Sequence, residues 1–142
     1  QIMEMVGQAG IVDILFNCAG IVPSGSILEG DRATWQRAFD LNVTSVFDMT
    51  RSVLPGMIAR GYGNIINVAS VVSTIKTAPN RAAYAATKAA IIQFSRVLAV
   101  QYAKQGIRVN SVVPGQLHTP MVEVRLAGQR AGGDVESTRR VE

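Results

Sequence analysis

The chain has one cysteine and one histidine, Cys18 and His118. A lone thiol excludes an internal disulfide and suits a reducing compartment. One Cys and one His cannot assemble a zinc site, so no metal centre is expected. Charged residues are scarce, at 17%, and the net charge of +4 comes from scattered side chains, with Arg139-Arg140 the only basic doublet. Without a basic stripe interleaved with aromatics, nucleic-acid binding has no support. No apolar run approaches the roughly 18 residues that cross a bilayer. Gln1-Ile2-Met3-Glu4 does not read as a signal peptide. These absences predict a cytoplasmic protein without membrane partners. A mild positive excess also suits an anionic cofactor or substrate.

What is present is 48% hydrophobic residues and 13 glycines in 142 residues, the composition of one globular α/β domain. Ile11 to Phe16 reads as a buried strand ending in the turn Asn17-Cys18-Ala19-Gly20. Residues 21–30 form a loop, and Asp31 is the expected N-cap of a helix through Trp35, Phe39, Val43 and Phe47. Pro55 should bend or end that helix near Leu54. Asn64 to Ala69 is a second strand, followed by a Ser/Thr-rich loop. The longest helical segment runs from about Arg81 to Lys104, with Gly106 as C-cap and Ile107 to Val113 as a third strand. A short amphipathic segment follows around Met121 to Leu126, and 127–142 reads as a mobile tail. Alternating strands and helices predict a doubly wound, Rossmann-like parallel sheet covered on both faces. Ligands of such sheets bind outside the carboxyl ends of the strands. Asn17, Ser70 and Pro114-Gly115 all fall there.

Tyr84 and Lys88 are four residues apart in Ala-Ala-Tyr84-Ala-Ala-Thr-Lys88, so on a helix they share a face. A nearby ammonium favours the phenolate, which suits proton exchange with an alcohol oxygen near neutral pH. An ordinary exposed pair on an Ala-rich helix has the same spacing. Asn42 interrupts an apolar helical face and is either a satisfied structural side chain or the holder of a water or of the lysine. Ser70 at a strand end could hydrogen-bond a substrate oxygen or merely shape a turn. Arg81 and Lys76 could meet a substrate carboxylate or stand as solvated loop charges. His118 reads as an exposed loop residue.

Taken in order, Asn17-x-Ala19-Gly20, Leu-Asn42-Val, Asn67-Val-Ala-Ser70, Tyr84-x-x-x-Lys88 and Pro114-Gly115 resemble the short-chain dehydrogenase/reductase family from Asp13 to about Thr119. The segment before Tyr84 looks most like branches acting on hydroxy acids and keto-deoxy sugar acids. The resemblance implies a hydride transfer between NAD or NADP, with NAD favoured, and an alcohol or ketone; a 3-oxoacyl reductase-like enzyme is the alternative within the class. It makes Tyr84 the general acid/base and Ser70 the partner of the same substrate oxygen. Lys88 would tune Tyr84 and bond the nicotinamide ribose, and Asn42 would anchor a relay water. Asn17, Ala19 and Gly20 would lie beside the adenosine half, Pro114 and Gly115 under the nicotinamide, Leu117 at the carboxamide and Thr119 near the pyrophosphate. Cys18 and Thr87 stand where the family often has Asn and Ser. It also implies a homodimer or homotetramer, often through the two long helices.

The family's opening strand, Gly-rich phosphate loop and first helix have no counterpart here, since Gly7-Gln8-Ala9-Gly10 precedes a strand. The family's last strand is also missing. Residues 1–126 therefore read as the central and catalytic part of a domain truncated at both ends. The first strand should have an unpaired outer edge and uncovered apolar faces, which invites aggregation or a borrowed partner. A catalytically inactive α/β fragment, or an interaction module unable to bind a dinucleotide, is the competing expectation.

Overall fold

The computed structural model describes residues 2–117 together with Pro120, Val122, Glu123, Leu126 and Ala127. Three parallel strands, β1 (Ile14–Asn17), β2 (Gly63–Val68) and β3 (Ile107–Val112), lie side by side in chain order. The register aligns Leu15 with Ile65 and Val109, and one layer higher Asn17 with Asn67 and Ser111. Helix α1 (Ile2–Ala9) precedes β1, an element that the sequence reading did not foresee. Asp31 caps α2 (Arg32–Phe39) as expected, its carboxylate accepting from the Thr34 amide at 2.6 Å.

The long helix expected after Asp31 is interrupted. Asp40–Thr44 form a π-helical turn, and α3 (Ser45–Arg60) continues beyond it. Pro55 does not end α3, contrary to expectation. Val53, Leu54 and Met57 on either side of it are buried in the core, and this burial outweighs the roughly 3 kcal/mol that an internal proline costs. The helix stops at Gly61, whose φ of 66° is left-handed, one turn after Met57.

The Ser/Thr-rich loop contains a short helix, α4 (Val71–Thr74). Helix α5 (Ala82–Tyr102) then leads through a 3₁₀ turn to Gly106 at φ 77°. A Cβ on Gly106 would lie 1.9 Å from the Gly61 carbonyl oxygen, so no other residue fits there without moving the backbone. Of the segment 121–126, the described residues Val122, Glu123 and Leu126 are helical; 128–142 lie outside the described residues. No described helix is long and apolar enough to cross a membrane.

The core lies on one side of the sheet. Leu15, Ile65, Ile107 and Val109 pack with Val53, Leu54 and Met57 of α3 and Leu98 of α5. Side chains alternate across a strand, so the other face carries Ile14, Phe16, Ile66, Val68 and Val112. Cover on both faces was expected. Among the described residues both crossover helices instead share one face, and Ile14 and Phe16 are each 58% exposed.

Candidate active site

Four chain segments meet at the carboxyl ends of the strands. The turn after β1 brings Cys18 and Gly20, the end of β2 brings Ser70, the first two turns of α5 bring Tyr84 and Lys88, and the loop after β3 brings Pro114 and Gly115. Together they line a cleft of about 180 Å³.

Lys88 is buried, and its Nζ donates to the Val68 carbonyl oxygen at 2.7 Å. The same Nζ stands 5.9 Å from the centre of the Tyr84 ring, so the pair predicted from spacing shares one face of one helix. Burial pushes the Lys88 ammonium below its usual pKa range, opposed in part by the nearby Cys18 side chain. Ser70 is buried at the mouth of α4, where its Oγ accepts from the Val72 amide at 3.2 Å and its carbonyl accepts from the Ser73 hydroxyl.

Asn42 sits in the π-helical turn, 1% exposed. Its Oδ1 accepts from the Ile21 amide at 2.8 Å, and its Nδ2 donates to the Ile21 carbonyl and to Thr87 Oγ1, each at 3.0 Å. Both donors of the carboxamide are thus engaged by protein groups. Thr87 Oγ1 in turn donates to the Tyr84 carbonyl at 2.8 Å. The widened turn places this one polar side chain against both the strand-end loop and α5, a common setting for π-bulges. Gly20 lies beneath it: a Cβ there would meet Asn42 Oδ1 at 2.8 Å and Lys88 Nζ at 3.7 Å. Ala19 and Gly20 are exposed at the rim, leaving backbone open to a flat ligand.

Asn17 is half-buried, and its Nδ2 donates to Asn67 Oδ1 at 2.8 Å. Arg81 lies outside the lining of the cleft; its Nη1 approaches the Pro23 carbonyl at 3.4 Å. The neighbouring Gly25 amide donates to the Asn80 carbonyl at 3.1 Å, which joins loop 21–30 to the start of α5. Lys76 is exposed, and Leu117 is exposed beyond Gly115. Thr119 and His118 lie outside the described residues. Sequence reasoning missed Ser95, named Asn67 only as the start of the Asn67-Val-Ala-Ser70 motif, and treated Thr87 only as a substitution. All three are buried polar side chains, and the signal was a polar residue on an otherwise apolar strand or helix face. Among the described residues no group of His, Cys, Asp and Glu could hold a metal ion.

A parallel α/β sheet with a tyrosine, a buried lysine and a serine gathered at its strand ends defines a Rossmann-like protein. The family model described as short chain dehydrogenase matches residues 1–130. The chain is 46% identical over 136 residues to 2-keto-3-deoxy-L-fuconate dehydrogenase of Xanthomonas campestris, covering 96% of this chain and 45% of that protein. A solved short-chain dehydrogenase/reductase from Burkholderia xenovorans is 45% identical with a TM-score of 0.85, over 98% of this chain and 52% of the other. ElxO, solved with NADP bound, superposes with a TM-score of 0.85 at 25% identity, over 92% and 54% of the two chains. The chain belongs to the short-chain dehydrogenase family. It spans about half the length of the relatives it matches.

Proposed function

We propose that this chain carries the acid/base site of an NAD(P)-dependent oxidoreductase that interconverts an alcohol and a ketone. The observation that supports it best is the convergence of Ser70, Tyr84 and Lys88 on one cleft. In this reading Tyr84 exchanges a proton with the substrate oxygen, and Ser70 Oγ holds that oxygen as charge develops on it. Lys88, fixed on the Val68 carbonyl, keeps a positive charge beside the phenol. Asn42 holds the first turns of α5 through Thr87; with its carboxamide donors engaged, a relay water on Asn42 would donate to its backbone carbonyl or to the second lone pair of Oδ1.

The cleft tests the cofactor. Its roughly 180 Å³ is below the range of pockets that enclose whole ligands, but it fits one ring of a dinucleotide. Gly20 has no room for a side chain, and Pro114 and Gly115 line the same cleft. Lys88, Pro114, Gly115 and Leu117 would hold the nicotinamide end, with Asn17, Ala19 and Gly20 toward the adenosine and Thr119 toward the pyrophosphate. Bound there, NAD(P) supplies the hydride. NAD is the favoured form on family resemblance, and the NADP of ElxO keeps both in the assay.

A hydroxy acid or sugar acid is the proposed substrate class, supported by the name of the Xanthomonas relative; Arg81, three residues before Tyr84, would have to turn from the Pro23 carbonyl to meet its carboxylate. A homodimer or homotetramer is proposed through α3 and α5. An apolar groove of about 570 Å³ runs between them, with Phe47, Leu54, Phe94 and Leu98 among its walls, and a second copy is its proposed occupant. A reducing, cytoplasmic setting suits the exposed Cys18 thiol.

The uncovered sheet face favours a second reading, an α/β unit that does not hold the dinucleotide by itself. Titration of the chain with NADH and NADPH, followed by nicotinamide fluorescence, separates the two. Saturable enhancement supports the oxidoreductase reading, and a flat response for both supports the second.

A further inference from the structure

We propose that Asn67 and Ser95 are positioning residues that set where Tyr84 and Lys88 stand against the end of β2. The proposal rests on the acid/base reading of the cleft. Its starting point is a change of chemistry between two adjacent layers of the sheet. The layer Leu15–Ile65–Val109 is apolar, and the next, Asn17–Asn67–Ser111, is polar. Side chains of both layers point to the helix-covered face, so the polar layer lies between the core and the cleft.

Three side chains there form a directional chain. Asn17 Nδ2 donates to Asn67 Oδ1 at 2.8 Å, Asn67 Nδ2 donates to Ser95 Oγ at 2.9 Å, and Ser95 Oγ donates to the Ile91 carbonyl at 2.8 Å. Asn67 is 0% exposed and Ser95 3%. The Ser111 hydroxyl, at the end of the same layer, has no hydrogen-bond partner among the described residues. The chain therefore runs toward α5 and not along the whole sheet.

Ser95 is seven residues after Lys88, two turns along the same buried face that holds Ile91 and Ile92. Apart from Ser95 and Lys88, the buried contacts α5 makes with the sheet are apolar, and apolar burial is non-directional. It holds the helix down without fixing its height. A slip of one residue moves a helix by about 1.5 Å and turns it by about 100°. Displacements near 1 Å are enough to lower turnover by about two orders of magnitude. The Asn67–Ser95 bond has the angular and distance limits that oppose such a slip. It acts beside two other ties nearer the start of α5, from Lys88 to the carbonyl of Val68 and from Asn42 to Thr87. Asn67 also stands three residues before Ser70, so one strand end fixes both sides of the cleft.

The test compares Ser95→Ala and Ser95→Thr in the full chain, by NMR of the Lys88 Nζ and Tyr84 ring signals and by kcat and KM. S95A should shift both sets of signals and lower kcat about tenfold or more while KM for the dinucleotide stays within about twofold. S95T keeps the hydroxyl and should restore signals and rate. Unchanged signals in S95A, with only a lower melting temperature, would overturn the proposal and leave Ser95 a plain partner for a buried asparagine. Absence of wild-type turnover would count against the proposed function alone, and the NMR comparison would still decide this inference. If S95A does not fold, Ser95→Cys, of similar size and with a weaker donor, is read by the same criteria.

Discussion

The carboxamide of Asn42 and the hydroxyl of Thr87 meet at 3.0 Å across 45 residues of chain. This bond joins the π-helical turn to α5, one residue before the buried lysine. The remaining polar atoms of Asn42 close on both backbone groups of Ile21. One side chain thus organises three segments of the cleft.

Replacing Asn42 with Ala should therefore destabilise the fold by about 2–4 kcal/mol, because the Ile21 amide and carbonyl lose their partners in a partly buried place. Urea unfolding of N42A measures this. A loss under about 0.5 kcal/mol would show that the clamp is not needed for the fold.

Gly20→Ala should disturb the same clamp, since its Cβ would sit 2.8 Å from Asn42 Oδ1. The expected cost is about 1–3 kcal/mol. Gly56→Ala is the matched control: it lies in α3, with a Cβ contact no closer than 3.4 Å, to Arg60 Nη1, and should gain up to about 1 kcal/mol. Equal melting temperatures for the two variants would contradict the steric argument.

Lys88 gives a pH dependence with a definite sign. Burial lowers its pKa in the folded chain, while the unfolded side chain titrates near 10.4. Between those values the unfolded chain binds more protons, so stability contributed by this group rises with pH through that window. The cost of the buried charge is full below the folded pKa and is gone above the unfolded one. The stability of the wild type relative to Lys88→Met should accordingly increase as pH rises toward about 10.4. A constant difference over that range would mean that burial does not act on this ammonium.

Tyr84→Phe removes the proposed proton carrier and leaves the ring in place. A fall in kcat of at least about 10²-fold is expected if Tyr84 serves as general acid/base. Retention of more than a tenth of wild-type turnover would assign the proton transfer elsewhere.

The open sheet face should make the chain self-associate, because Ile14 and Phe16 stand exposed on the edge strand β1. Phe16→Lys should reduce light scattering at micromolar concentration without lowering helix content. Scattering unchanged by the substitution would place the association on another surface, such as the groove between α3 and α5.

Much of this fold was legible because strands β1, β2 and β3 are short apolar runs bounded by Gly, Asn and Pro, and because Asp31 and Gly106 mark helix ends. The Tyr84–Lys88 spacing predicted their shared face, which the 5.9 Å separation bears out. Pro55 misled, since its local cost is visible in sequence and the burial of Met57 that offsets it is not. The cover of the sheet misled for a related reason. Apolar strand residues say that a face can be covered, and only the handedness and placement of the crossovers decide which face is. Asn42 could be marked as unusual, but its three partners come from residues 21 and 87, and no local pattern links those positions. Helix α1, eight residues long with Gly7 inside it, is too short for its apolar period to stand out in sequence.

Gly61 and Gly106 end the two crossovers back to back, with no space between them for a single methyl group. Strands β2 and β3 begin directly beyond them, at the paired residues Gly63 and Ile107. Both strands are thus measured from one common baseline, and a strand of six residues carries that baseline about 20 Å upward to the cleft. A substitution that spoils the fit of these two glycines should therefore be felt at Ser70 and Pro114, where the paired strands end. The alignment of the proposed catalytic end is in this sense decided at the opposite end of the sheet, where no reacting group is found.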